Sequence, residues 1–297
     1  MFFRMVRSAL LSAVAVATLA LPSSAQLQDN LGALTGDNAA GYLNPLVSGL
    51  SGTMNAAVFH TGRVPRQGFG IKIGARLMGV SFDDDDRTYT PTDPPGFTGT
   101  GSVDAPTVIG DTRSVSQPGQ GGTTLYHPGG FDIGEFAFAA PQLTIGSIAG
   151  TQATVRWISI DIGDSDLGKF ELFGLGAQHS LSQYFEGLPI DVAAGAFYQN
   201  FKIDDTLVDA KTWHFNVTGS RTYGLLQPYV GIGIDTIDMK SEYTESSMGS
   251  TIEVDFDPES NFHLTLGGAA NLALLHLYGE VNFAAQTGFA VGLSFGN

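Results

Sequence analysis

The chain has 297 residues, 39 glycines and no cysteine, and only 14% of its side chains are charged. The lack of cysteine excludes disulfides, thiolate zinc sites and an acylated N-terminal cysteine. A net charge of −15 argues against nucleic acid and against charge-driven docking on an anionic membrane surface. A mean hydropathy of +0.09 is too low for a helical membrane bundle and fits a chain that interleaves apolar and polar positions.

Arg4 and Arg7 precede an apolar run from Ser8 to Leu21, and Ser23, Ser24 and Ala25 supply small residues ahead of Gln26. This pattern predicts a secretory signal peptide over residues 1–25, because the run is shorter than the ~20 residues of a spanning helix. Residues 26–67 form an entry segment. Leu43, Leu46, Val47 and Leu50 lie at helical spacing, and Asn44 followed by Pro45 predicts the start of a short helix. A helix ahead of a barrel predicts a plug in the lumen. The alternative is a helix resting at the inner interface or in the periplasm.

From residue 68 onward the chain alternates. Ile71, Ile73, Ala75 and Leu77 point one way, and Lys72, Gly74 and Arg76 the other. Trp213, Phe215 and Val217 oppose His214, Asn216 and Thr218; Val230, Ile232 and Ile234 oppose Tyr229, Gly231, Gly233 and Asp235. Period-2 alternation puts one face in an apolar medium and leaves the other polar or small. Strands are expected at 68–82, 136–147, 152–161, 168–178, 190–203, 211–220, 225–243, 251–266, 272–284 and 288–295. The alternation is weakest in 152–161 and 168–178. Residues 83–131 are rich in Pro, Gly, Asp, Thr and Ser and read as one long loop.

The fold class expected is all-β: a transmembrane antiparallel up-and-down barrel of about ten strands, with a short N-terminal helical segment. Open sheet edges are not tolerated in hydrocarbon, so the sheet must close. If both chain ends lie on the periplasmic side, the strand number must be even. The long loop, residues 161–167, Asp204–Asp205 and the 240–251 hairpin tip then collect outside, while 149–150, 179–189, 221–224 and 268–271 form inner turns. The domain plan is a signal peptide (1–25), an entry segment (26–67) and a barrel (68–297). Lys72, Arg76, Arg156, Lys169, Glu171, His214, His263, His276 and Glu280 are the expected lumen-facing charges and histidines. Aromatics near strand ends, such as Trp213, Phe262, Phe283, Phe289 and Phe295, suit interfacial girdles.

Sites of chemistry are sparse. Asp83-Asp-Asp-Asp86 offers four carboxylates to Ca²⁺, or is a solvated loop. Asp161-Ile-Gly-Asp-Ser-Asp166 has carboxylates near calcium-loop spacing but no following Glu, and reads as a turn. Asp235, Asp238, Glu242, Glu245, Glu253, Asp255 and Asp257 make an acidic rim. His179-Ser180 resembles a base beside a nucleophile, but adjacent strand residues face opposite ways and no carboxylate completes them. Gly174–Gly176 and Gly231–Gly233 read as close packing rather than phosphate loops. No enzyme activity and no cofactor are expected, with calcium on the outer loops as the one reservation.

Three runs carry a resemblance: Gly41-Tyr-Leu-Asn-Pro-Leu46, Ala140-Pro-Gln-Leu-Thr-Ile-Gly146 and Gly176-Ala-Gln-His-Ser-Leu-Ser-Gln-Tyr-Phe185. Over residues 38–297 the chain resembles a family of uncharacterised bacterial outer-membrane barrels of unknown function. The terminal pattern ending at Phe295 is similar to the last strand of outer-membrane barrels. That likeness implies recognition by the assembly machinery, although Gly296 and Asn297 follow the aromatic. The implied location is the outer membrane of a Gram-negative bacterium, with lipid as a partner. The first functional expectation is a narrow or plugged pore for a small solute, an apolar one included. The second is a structural or surface-interaction barrel, and the third a soluble periplasmic β-sandwich.

Overall fold

A computed structural model describes residues 24–161, 169–244, 249–256 and 259–297. The chain opens with two helices, α1 (Ser24–Gly32) and α2 (Gly36–Asn55). The wall strands are β1 (Gly70–Ser81), β6 (Glu135–Ile148), β7 (Thr151–Asp161), β8 (Lys169–Ser180), β9 (Asp191–Ile203), β10 (Val208–Ser220), β11 (Leu226–Thr244), β13 (Glu259–Leu272), β14 (Leu275–Phe283) and β15 (Thr287–Gly296). Each pairs antiparallel with its neighbours in the chain, and β1 with β15 closes the ring. The result, among the described residues, is a closed ten-stranded antiparallel barrel.

Closure separates two faces. Ile73, Phe215, Ile232, Leu277, Leu293 and Phe295 are exposed on the outside, while Arg76, Arg156, His276 and Glu280 are buried inside. A stacked sandwich would show the reverse. Residues 1–23 of the expected signal peptide (1–25) and the Asp161–Asp166 turn fall outside the described residues, apart from the backbone of Asp161 at the end of β7.

The two ends of the barrel differ. One carries residues 82–134 and the hairpin in which β12 (Thr251–Asp255) pairs with the extension of β11; we call it the loop end. The long segment is not featureless. It holds two small ladders, β2 (Thr88–Tyr89) with β3 (Ala105–Pro106), and β4 (Val115–Pro118) with β5 (Thr124–His127). The other end carries short connections and the C-terminus; we call it the turn end. There β13 runs through Gly267 and Gly268 and turns at 273–274, not at 268–271. Only glycine fits at 267, because the Tyr229 ring lies where a Cβ would be.

The helices enter from the loop end, so the first described residues and the C-terminus lie at opposite ends. Asn30 Nδ2 donates to the Gly129 carbonyl at 3.1 Å, and Tyr243 Oη to the Leu34 carbonyl at 3.3 Å. The expectation that both ends share one side is corrected. The even strand count holds because β1 itself starts at the turn end. The helix also begins earlier than Asn44: Pro45 lies within α2 and forfeits one bond to the Gly41 carbonyl.

Candidate functional site

The bore is where the sequence places its unusual residues, and it is filled. α2 packs Tyr42, Leu43, Val47, Leu50 and Met54 against an apolar lining of Met78, Val80, Phe136, Phe138, Leu172, Phe201 and Met239. With side chains, a helix is about 10–12 Å wide, enough to occupy a narrow barrel. Below Asn55 the chain turns at Ala56–Ala57, where Ala57 takes a φ of 54°, and continues without helix or strand. Residues 56–67 run as a strap to the turn end, where β1 begins.

A helix satisfies its own backbone; a non-helical strap does not. The wall supplies the missing partners. Arg156 on β7 donates Nη1 to the Met54 carbonyl at 2.9 Å and Nη2 to the Ala56 carbonyl at 3.1 Å. Gln199 on β9 donates to Met54 O at 2.6 Å. The Ala57 amide donates to Glu280 Oε1 on β14 at 2.6 Å. Gln142 reaches the Val58 carbonyl at 3.4 Å, Gln178 reaches that of Thr61 at 2.9 Å, and the Gly62 amide donates to Ser220 Oγ at 2.9 Å. Ser147 Oγ donates to the Pro65 carbonyl. Phe59 adds an apolar peg, edge-on to Phe197 with centroids 6.2 Å apart, in the space left by Gly195.

A second network runs along the wall into the same contact. His214 Nδ1 and His263 Nδ1 each lie 2.6 Å from one oxygen of Asp235. His263 Nε2 lies 2.9 Å from Asn282 Oδ1, and Asn282 Nδ2 donates to Glu280 Oε1 at 3.0 Å. Tyr229 Oη donates to Glu280 Oε2 at 2.7 Å. A line of hydrogen bonds thus connects Asp235 to the strap amide of Ala57. The ligand atoms of His214, Asp235 and His263 lie within 4.8 Å of one another. They are chemically able to hold a transition metal, but each carboxylate oxygen already faces an imidazole nitrogen, and an ion would have to displace both contacts.

Seven of the nine expected lumen residues point inward: Lys72, Arg76, Arg156, His214, His263, His276 and Glu280. Arg156 and Glu280 meet at the strap, and His214 and His263 meet at Asp235. Lys169 and Glu171 are a correction. They share the outward face of Phe173 and Leu175, and pair with each other at 3.0 Å at the loop-end edge of the wall. The inward residues there are Phe170 and Leu172, because the plug makes the upper interior apolar. Asp235 is a second correction: it is fully buried and absent from the acidic rim. Its parity with Tyr229 is visible in the sequence and was the signal for it. Gln142, Gln178, Gln199 and Ser220, missed as functional residues, share inward parity too.

Among the rim acids, Glu253 and Asp255 are paired with Lys240 at 3.2 and 2.6 Å. In the Asp83–Asp86 run, Asp86 Oδ2 accepts from its own turn at Asp83 N and from Gln286 Nε2, both at 3.0 Å. His179 contacts Thr151 Oγ1 at 2.7 Å and Tyr184 Oη at 2.9 Å at the turn end, on the wall face opposite Ser180. The Gly174 and Gly176 positions are filled by the Phe197 ring.

A concavity of about 400 Å³ lies at the loop end among Asn44, Asp85, Asp86 and Asp255, and two more lie elsewhere. One, of about 1120 Å³, is an outward dent where Ala75, Gly268, Ala270 and Gly279 lie between Leu226, Leu277 and Leu293. The other, of about 470 Å³, is a polar vestibule at the turn end beside the strap.

A family model described as "Family of unknown function (DUF6588)" matches residues 5–297. A search of curated protein sequences finds no match. Solved structures that superpose include a loop L8 deletion mutant of OmpT, an outer membrane protein of Vibrio cholerae (11% identity, 77% of this chain and 99% of that chain, TM-score 0.27). Others are Salmonella typhi OmpF in complex with daunomycin (9%, 77% and 96%, 0.24) and the Ralstonia pickettii toluene transporter TbuX (8%, 80% and 90%, 0.21). These superpositions are too loose to bear on function.

Proposed function

The chain belongs to this family of unknown function, and from that premise we propose that it is a plugged outer-membrane barrel that passes a small solute when the plug shifts. The observation that carries this reading is the attachment of the plug. Its lower end is held by hydrogen bonds that Arg156 and Gln199 donate and one that the Glu280 carboxylate accepts. Such contacts can be exchanged for water or solute one at a time, unlike a fused core. The loop end would face outward and the turn end the periplasm, with lipid around the apolar belt and the assembly machinery reading β15. Polar groups line the lower passage, which favours a polar solute over an apolar one.

A second reading, a structural barrel with a permanent core, is favoured by the complete burial of Leu43, Leu50 and Met54. Planar-bilayer recording separates the two. In the gated reading, wild-type protein gives brief openings, Arg156→Ala lengthens them, and deletion of residues 26–55 gives a steady current. Silence from both variants, each shown to be folded by a gel migration that changes on boiling, would leave only the structural barrel.

A further inference from the structure

The turn-end vestibule differs in charge from the rest of the molecule. The chain carries 29 Asp and Glu against 14 Lys and Arg. Yet the residues lining this cavity of about 470 Å³ include Arg63, Lys72, His60 and His276 and no Asp or Glu. Lys72 stands on the inward face of β1 and is half-buried. Among the described residues its ammonium forms neither an ion pair nor a side-chain hydrogen bond, although the acidic side chains outnumber the basic ones about two to one in this chain. The Lys and Arg ion pairs among the described residues lie at the loop end, around Arg87, Arg113, Lys169, Lys202 and Lys240.

His60, Arg76 and His276 are held in place. The His60 ring lies flat on Tyr278, with centroids 4.5 Å apart and planes 6° from parallel, and its buried Nδ1 has no protein partner. The Arg76 guanidinium stacks on the same tyrosine ring, 4.3 Å from its centroid. His276 is fixed by Asn271 Oδ1 at 2.7 Å and by the Gly296 carbonyl at 3.1 Å. A partly desolvated ammonium with no acidic side chain beside it is costly. The charged side chains of the lining, Lys72 and Arg63, are both cationic, and low-dielectric walls with such charges concentrate counter-ions. The volume lies in the range of about 300–1,000 Å³ usual for small-molecule sites.

We propose that this vestibule is a binding site for a small soluble oxyanion, a carboxylate or phosphate group held by Lys72 with His60 and Arg63 around it. It extends the transport reading by giving the class of solute, but binding does not need passage. A silent bilayer recording therefore leaves it standing.

The test is calorimetric titration of purified barrel in zwitterionic detergent at low salt, with inorganic phosphate and, separately, with succinate. A third titration uses micelles doped with an anionic phospholipid. Saturable binding of at least one soluble anion is expected. Lys72→Ala should weaken it ten-fold or more, and Lys72→Arg should keep it within three-fold. If Lys72→Ala does not fold, His60→Gln, which lies on the strap and off the wall, is expected to weaken binding at least three-fold. No saturable binding of phosphate or succinate, the same affinity in the variant read, or heat only from the lipid-doped micelles would each overturn the site.

Discussion

The two halves of the barrel interior are built on opposite principles. Toward the loop end the wall is lined by Phe136, Phe138, Phe170, Phe201, Met78 and Met239, and what crosses it is a helix. Toward the turn end the wall is lined by Arg156, Gln142, Gln178, Gln199, Ser220 and Glu280, and what crosses it is a non-helical strap. The difference follows from the backbone of the inserted segment. α2 closes its own N–H and C=O groups and can sit in an apolar sleeve. The strap has open backbone groups, each costing free energy if left dry. The polar half of the bore is therefore not a generic wet lumen; its side chains are the hydrogen-bond complement of residues 54–65.

The largest test of that contrast is Arg156→Ala at the junction of the two halves. It removes a donor from the Met54 and Ala56 carbonyls and from the amide oxygens of Gln142 and Gln199. At about 1–3 kcal/mol for each buried acceptor left unpaired, the lower plug should detach while the barrel still closes. Hydrogen exchange at Ala57 and Gly62 should rise by orders of magnitude; protection equal to wild type would remove Arg156 from the account. Next is Leu50→Ala in the apolar half, expected to cost about 2–5 kcal/mol through lost burial and a cavity. It should lower the thermal midpoint of the gel-shift transition while sparing strap protection. Smaller still is Gln178→Leu, which keeps similar bulk but strands the Thr61 carbonyl, about 1–3 kcal/mol. A neutral Gln178→Leu in urea unfolding would mean that the strap does not depend on the polar wall.

The same contrast explains what the sequence could show. Strand positions, closure and the outward belt were legible because the apolar outward alternation is uniform along the wall: Phe215, Ile232, Leu277 and Leu293 all face out. The inward side was legible only in the turn-end half, where polar residues mark it. In the loop-end half both faces are apolar, so polarity no longer reports direction. That is why Lys169 and Glu171, the polar residues of upper β8, looked inward although Phe170 and Leu172 hold that side. Asp235 differs: its parity sets it on the polar face with Tyr229, while its charge groups it with the rim acids, and only the parity reading matches its buried position. The plug's route was not legible, because α2's apolar face has no periodic partner in the sequence. Its lining is assembled from six or more strands far apart in the chain.

The smallest effect concerns the cover over the apolar half. His127 on β5 is buried, with Nε2 3.0 Å from Gln117 Oε1, and Gln117 Nε2 donates to Asp93 Oδ1 at 2.9 Å. Burial pushes the His127 imidazole below its ordinary value, and the Asp93 carboxylate offsets this only in part. The unfolded loop therefore binds a proton more readily than the folded one. Its contribution is complete above the ordinary histidine value of about 6.5 and is lost as pH falls through the depressed folded value. Acidification from neutral pH should raise amide exchange in the β4–β5 ladder, with no change in the strap at Gly62. His127→Gln, which keeps a donor toward Gln117 and cannot titrate, should abolish the pH dependence in the ladder. A ladder whose exchange, corrected for intrinsic rate, does not change across that window would show that this cover is held without His127.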